Sequence, residues 1–180
     1  MATYKIDVDH SDITFKVKHL MISTATGYFK KFDATVESDT NDFTDAKVYF
    51  EADVDSIDTK NAQRDTHLKS DDFFNAADFP KLTFKSTGIE KNTDGEYTLT
   101  GDLTIRDVTR PVKLAVEFNG TTKDPWGSER AGFEINGKIN RKEFGLKWSA
   151  VTEAGGLVVD DIVKLHMNVE FVKQGEAVTA

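Results

Sequence analysis

Tyr97-Thr98-Leu99-Thr100-Gly101-Asp102-Leu103-Thr104-Ile105 is the stretch that decides the fold. Its odd positions are apolar or glycine, and its even positions are threonine or aspartate. Successive side chains of a strand point to opposite sheet faces, so this pattern predicts a strand with one buried and one wet face. The same rhythm recurs along the chain. Ile13, Phe15 and Val17 follow it, as do Phe32, Ala34 and Val36, then Ala46, Val48, Phe50, Ala52 and Val54. Leu82 and Phe84, Val112 to Phe118, Phe133 to Ile139 and Val163 to Phe171 continue it, and Tyr4 to Val8 is a shorter case. The count is about eight or nine strands. Asn92-Thr93-Asp94-Gly95 and Asp124-Pro125-Trp126-Gly127 read as turns between them. Arg110-Pro111 is expected to open a strand, where a missing N–H does least harm. Short connections make successive strands antiparallel neighbours. A meander this long must close or protect two edges, and closure into a barrel removes the edges. The fold class is therefore all-β, a single antiparallel β-barrel, with a β-sandwich as the alternative.

One segment breaks the rhythm. Residues 58–80 show no alternation, and Asn61 to Lys69 reads as a short helix with Arg64, His67 and Leu68 at helical spacing. A connection of this length is unusual and often functional, so a flap over one barrel end is expected. The 180 residues fit one domain, taken as 1–174, with 175–180 as a fraying tail.

Composition removes several classes of function. The chain has no cysteine, which excludes disulfides, zinc–thiolate sites and thiol nucleophiles. A net charge of −8 without a basic stripe argues against nucleic acid and against an anionic membrane surface. No apolar run is long enough to span a membrane as a helix. The first residues carry no leader-like apolar region, so the cytoplasm is expected if Met1 is native, and the periplasm or exterior if a leader was removed.

An eight-stranded barrel can be filled by side chains or can hold one small ligand. Small residues in the inward register, Ala34, Ala46, Ala52, Gly101, Ala115 or Val116, and Gly137, leave volume for a ligand or compensate for taper in a filled barrel. Phe73, Phe74 and Phe79 lie in the flap and either cork the barrel or line its mouth. His19 and Arg141 continue inward phases at strand ends. A buried guanidinium needs a partner, either a carboxylate such as Asp65 or Glu143 or an anionic headgroup. In the headgroup case, Arg141→Ala would weaken anionic lipids more than neutral ones. Catalytic signals are weak. The four histidines, His10, His19, His67 and His166, show no metal-ligand spacing. His10-Ser11-Asp12 are adjacent in sequence and cannot form a triad, and Gly155-Gly156 has no phosphate-loop context. Neither a catalytic residue nor a metal site is assigned.

These residues resemble the YceI-like family of bacterial lipid-binding proteins. The resemblance runs from about Tyr4 to Phe171. It is carried by Phe15-Lys16-Val17-Lys18-His19-Leu20, by Ser56-Ile57-Asp58-Thr59, and by Arg64-Asp65-Thr66-His67-Leu68-Lys69-Ser70 with Asp72-Phe73-Phe74. Phe79-Pro80, Thr100-Gly101-Asp102-Leu103-Thr104-Ile105, Val108-Thr109-Arg110-Pro111-Val112 and Asn140-Arg141 with Phe144-Gly145 complete it. Tyr4 stands where the family often has Trp, and Asp107 where glycine is usual in a turn. The resemblance implies a lipocalin-like barrel holding a polyisoprenoid, with a pyrophosphate or quinone head in some members and a fatty acid or fatty amide in others. The tail would lie against Phe15, Val17, Phe50, Phe84, Leu103, Phe133 and Ile135, and the mouth would use Arg64, Asp65, His67, Leu68, Phe73 and Phe74. His19, Met21, Arg141, Phe144 and Trp148 complete the expected set. No cofactor beyond the lipid is expected, and a homodimer is a family habit that no exposed apolar patch in the sequence supports. Two rival readings are a headgroup enzyme using His19, His67 and Arg141, and a filled barrel that binds a partner or serves in stress.

Overall fold

The structure is a computed structural model, and it describes residues 1–149 and 158–175. Among the described residues, eleven strands form one sheet that closes on itself. They are β1 (Ala2–Ile6), β2 (Asp12–His19), β3 (Ser23–Phe29), β4 (Phe32–Ser38), β5 (Lys47–Asp53) and β6 (Ile57–Asp58). After one helix, α1 (Ala62–Lys69), come β7 (Lys81–Lys91), β8 (Tyr97–Ile105), β9 (Val108–Lys123), β10 (Glu129–Asn140) and β11 (Val159–Lys173).

The ring runs β1-β4-β5-β7-β8-β9-β10-β11 and closes where Ile6 of β1 meets Phe171 of β11. Every pairing is antiparallel, so this is a closed eight-strand barrel. The higher strand count comes from kinks. A 3-10 turn at Val8–His10 separates β1 from β2, which both pair with β11, one after the other along its length. β3 and β4 likewise continue one another and pair with β2 and β1. A second turn, Val54–Ser56, splits β5 from β6.

The alternation maps onto this barrel. Ala34, Val36, Ala46, Ala52, Leu82, Phe84, Leu99, Leu103, Leu114, Val116, Val169 and Phe171 are all buried inside. Val116 points inward, not Ala115. Pro111 does not open β9, which begins at Val108; it sits where β9 has only β8 beside it, since pairing with β10 starts at Ala115. The missing N–H is tolerated at that unpaired flank. In the β8–β9 turn, Arg106 takes the positive φ of 55°, not Asp107.

The two ends differ. At the base, Phe43 is 2% exposed and sits edge-on against Tyr4, Phe118 and Phe133, with ring centroids 5.1–5.2 Å away. Its loop is held by Asp45, whose carboxylate accepts from Ser38 Oγ, Thr40 Oγ1 and Asp39 N. At the other end, the pairing opens into a seam, because β6 pairs only with β3 while β7 pairs with β5 and β8. The connection of residues 59–80 covers that seam.

Inward glycines prove to be occupied places. A Cβ on Gly27 would lie 2.1 Å from Phe15 Cζ, and one on Gly137 would lie 2.4 Å from Leu114 Cδ2. At Gly101 the clash is with Phe84 Cζ at 2.4 Å and the Lys85 carbonyl at 2.6 Å. Cross-strand side chains lie flat over these positions, so glycine does not add free volume there. Gly101→Val should cost ~1–3 kcal/mol in urea unfolding, because overpacking against backbone cannot relax by a rotamer change. Gly88→Ala, with nothing within 4 Å of its added Cβ, should leave the midpoint in place.

Candidate functional site

The barrel encloses a cavity of about 190 Å³. Its wall reaches along β11 from Val159 to Phe171, on the order of 40 Å of strand at ~3.3 Å per residue. Small volume over a long path describes a slender tunnel. Among the described residues, Thr14 and Arg141 are the two polar residues on its wall, and the rest are aliphatic or aromatic.

Both polar groups are already satisfied. Thr14 donates its hydroxyl to the His166 carbonyl. Arg141 is 3% exposed. Its Nε donates to the Asp160 carbonyl at 2.9 Å, and one terminal nitrogen donates to the Leu146 and Trp148 carbonyls, each at 2.7 Å. The other donates to the Val159 carbonyl at 3.3 Å and lies 3.8 Å from the Asp161 carboxylate. Burial lowers the pKa of this guanidinium, while Asp161 and Asp160 pull it upward. Its partner is therefore neither Asp65 nor Glu143. Phe73 packs under it at 5.8 Å.

The expected site residues divide in two. Phe15, Val17, Phe50, Leu68, Phe73, Phe74, Phe84, Leu103, Ile135 and Arg141 all stand on the cavity wall. The other eight do not. Phe133 belongs to the base cork, stacked on Phe118 and edge-on to Phe43. Phe144 is 1% exposed beneath the turn Arg141–Phe144, as ordinary core. His19 follows the inward phase, but β2 has already passed the rim there, and its ring is exposed beside Ser23, Thr24 and Arg64. Met21 is 50% exposed at the tip of the β2–β3 hairpin. Arg64 and Asp65 both serve the buried Thr59. Arg64 donates to its hydroxyl and carbonyl at 2.8 and 2.6 Å, and Asp65 accepts its N–H at 2.9 Å. His67 bonds Asp72 at 2.9 Å and sits edge-on to Phe73 and Trp148, at 5.1 and 5.0 Å. It and Trp148 back the wall from behind.

The flap itself is built on local capping. Asn61 caps α1 by accepting from Arg64 N at 3.0 Å. Phe74 N returns to the Leu68 carbonyl at 3.0 Å, which turns Phe73 and Phe74 inward. Phe79 stays outside the cavity, 5.8 Å beneath Arg106. Arg106 also donates to the Asp71 and Phe73 carbonyls and pairs with the Asp71 carboxylate at 2.9 Å. Sequence reading missed Arg106 as the flap's anchor. It also missed Phe43, which lies outside every alternating run. It missed the apolar tip as well, where Leu20, Met21 and Ile22 are exposed together.

Outside the cavity, Asp7, His10 and Glu170 form the one group with metal-like spacing among the described residues. Arg130 lies 2.7 Å from the same Asp7 oxygen that His10 contacts at 2.8 Å, and it also binds Asp124 at 2.8 Å. A guanidinium thus stands where a cation would be needed. Arg130, by hydrogen bonding, is the largest cause holding Asp7 and Asp124 below the ordinary carboxylate value, and Asp7 raises His10. His166 bonds Asn136 at 2.8 Å on the outer face. Gly155-Gly156 lies outside the described residues.

A closed eight-strand antiparallel barrel, corked at one end and apolar along its lumen, is a shape that can hold one small ligand. The chain belongs to the YceI-like family, whose model matches residues 4–171. A UPF0312 protein of Staphylococcus epidermidis is 41% identical over 172 residues, covering 95% of this chain and 98% of that protein. Among solved structures, the YCEI protein of Campylobacter jejuni superposes with a TM-score of 0.74 at 34% identity, covering 88% of this chain and 90% of that one. BcnA of Burkholderia cenocepacia gives 0.77 at 24% identity, covering 92% and 98%. A polyisoprenoid-binding domain from Saccharophagus degradans gives 0.68 at 14% identity, covering 95% and 98%, a likeness of fold.

Two predictions follow from the charged groups. Arg141→Ala and Arg141→Lys should each cost on the order of 3–5 kcal/mol in unfolding, because one ammonium cannot reach carbonyls on both flanks of the guanidinium. For Arg130→Gln, the loss of Tm should be full above about pH 5, since depressed carboxylates stabilise above their unfolded pKa. The gap should close as pH falls below 3.8 toward the folded pKa of Asp7 and Asp124. A gap that persists unchanged in strong acid would remove the ion pairs as its cause.

Proposed function

We propose that the protein binds one long apolar lipid chain lengthwise in the barrel and leaves it chemically unchanged. The carrying observation is a tunnel wall whose two polar residues, among the described residues, are already hydrogen-bonded within the protein. Such a wall offers contact to hydrocarbon and nothing to a headgroup. A polar head drawn inside would lose its water without a replacement partner. It therefore stays at the flap end, outside the tunnel.

The native ligand on this reading is a polyisoprenoid, in keeping with the description of the Saccharophagus degradans domain. A fatty acid or fatty amide is the second reading. It is favoured by the cavity's 190 Å³, below the roughly 300–1,000 Å³ usual for ligand sites. Each buried methylene adds about 0.8 kcal/mol before the cost of ordering the chain. Affinity should thus climb with chain length until the tunnel is full.

Native mass spectrometry with prenyl alcohols and fatty amides of graded length tests this. Retention that rises with prenyl length supports the first reading, and retention of fatty amides alone the second. Uptake of neither overturns both. Val163→Trp, placed on the tunnel wall, should abolish retention of the longer chains while keeping the fold. Arg141→Ala should weaken lipids with anionic and neutral heads equally, the reverse of what a headgroup-binding arginine would do.

A further inference from the structure

The tip of the β2–β3 hairpin is built against ordinary turn chemistry. His19 pairs with Ser23, leaving Leu20-Met21-Ile22 as the loop. Leu20 and Met21 both take positive φ, 53° and 62°. Two such positions in succession favour asparagine and glycine. Here they carry large apolar side chains, and these face solvent: Leu20 is 40% exposed, Met21 50% and Ile22 86%. Neither backbone preference nor burial accounts for these residues.

Three features say what covers the tip. First, it stands at the flap end of the barrel, above the tunnel. Leu20 N donates to the Val158 carbonyl at 2.8 Å, His19 pairs with Val159, and Val17 and Val159 line the cavity. Second, its surroundings are basic. Lys60, Arg64 and His19 share one surface depression beside it, and Lys18 is exposed on the adjoining strand. Among the described residues none of these four enters an ion pair, whereas nearby Asp58 is held by Lys30 at 2.8 Å. Third, the base of the barrel has a different character, with its cork buried. An apolar finger with Lys18, Lys60 and Arg64 close by matches a bilayer surface with anionic headgroups, where apolar side chains enter the interface and lysine or arginine meets phosphate.

We propose that Leu20-Met21-Ile22 inserts into an anionic bilayer and seats the mouth of the barrel on the membrane. The purpose of this contact rests on the lipid-binding reading; the contact itself does not. With a chain charge of −8, long-range repulsion opposes the approach, so docking depends on the local patch.

The test is co-sedimentation of the full chain with phosphatidylcholine vesicles, with and without phosphatidylglycerol. Wild type should sediment with the anionic vesicles and far less with the neutral ones. Met21→Asp and Ile22→Asp should each lose about tenfold in binding. Both positions are exposed, and an unchanged thermal melt checks their fold. Trp126, 83% exposed in the turn at the opposite end, supplies the control, and Trp126→Ser should bind as wild type does. Failure of wild type to sediment, equal binding by Ile22→Asp, or loss in Trp126→Ser instead would each overturn the proposal. Prenyl alcohol uptake from detergent solution separates the two ideas. If uptake fails while vesicle docking holds, the tunnel reading falls and the docking stands. If uptake succeeds while docking fails, the docking falls alone.

Discussion

β11 is the strand on which the barrel depends. One flank pairs with β10 from Arg130↔Val172 to Asn140↔Ile162. The other flank is shared, with β1 at the Phe171 end and β2 along Val163 to Asn168. The ring closes at its pairing with β1. Because side-chain direction has period two, a slip of one residue on β11 would turn Val163, Leu165, Met167, Val169 and Phe171 outward together. Their continuous apolar phase fixes the register, and the register fixes which β11 side chains line the tunnel.

Closure also explains the kinks. A strand pairing along the whole of β11 would have to follow its curvature unbroken. The turn at Val8–His10 lets the partner strand change direction, and Asp7 caps it by accepting from Asp9 N at 3.1 Å. Arg130 then ties Asp7 of this kink to Asp124 of the β9–β10 turn. The residues that first look like a catalytic or metal cluster are thus the braces of a bend. Arg141 does comparable work at the other end, joining the turn after β10 to the start of β11. A charge facing a lumen is not automatically a ligand contact. Its donors must be counted first.

Legibility in the sequence follows the range of the interactions. Alternation is local and repeats, so the strands and most of the apolar wall, with residues such as Phe15, Leu103 and Ile135, could be read from the runs. Phase also failed in a definable way. It placed His19 inside because it cannot tell where a strand passes the rim. It left Gly101 and Gly137 open between free volume and taper compensation because it cannot see Phe84 and Leu114 lying across them. Phe43 and Arg106 escaped because their roles are set by distant partners, Phe133 and Asp71, with no periodic signal at either residue. The loss of alternation and the length of residues 58–80 pointed to the flap, yet its polar residues Arg64, Asp65 and His67 turn out to hold the flap together.

The asymmetry of the two ends gives the tunnel a direction. At the base, Phe43, Phe118, Phe133 and Tyr4 form a packed aromatic cluster, and Tyr97 Oη donates to the Asp42 carbonyl to keep the loop seated. Opening that end would break many close contacts at once. At the flap end the sheet is already unpaired between β6 and β7, and the cover is one short helix with two phenylalanines. Separating a helix and two rings from the wall exposes less apolar surface and breaks no strand ladder. Local opening favours regions with few buried contacts and few backbone bonds to lose. An apolar chain would therefore enter and leave beside Phe73 and Phe74, its end against the base, with its length measured by the distance between cork and flap.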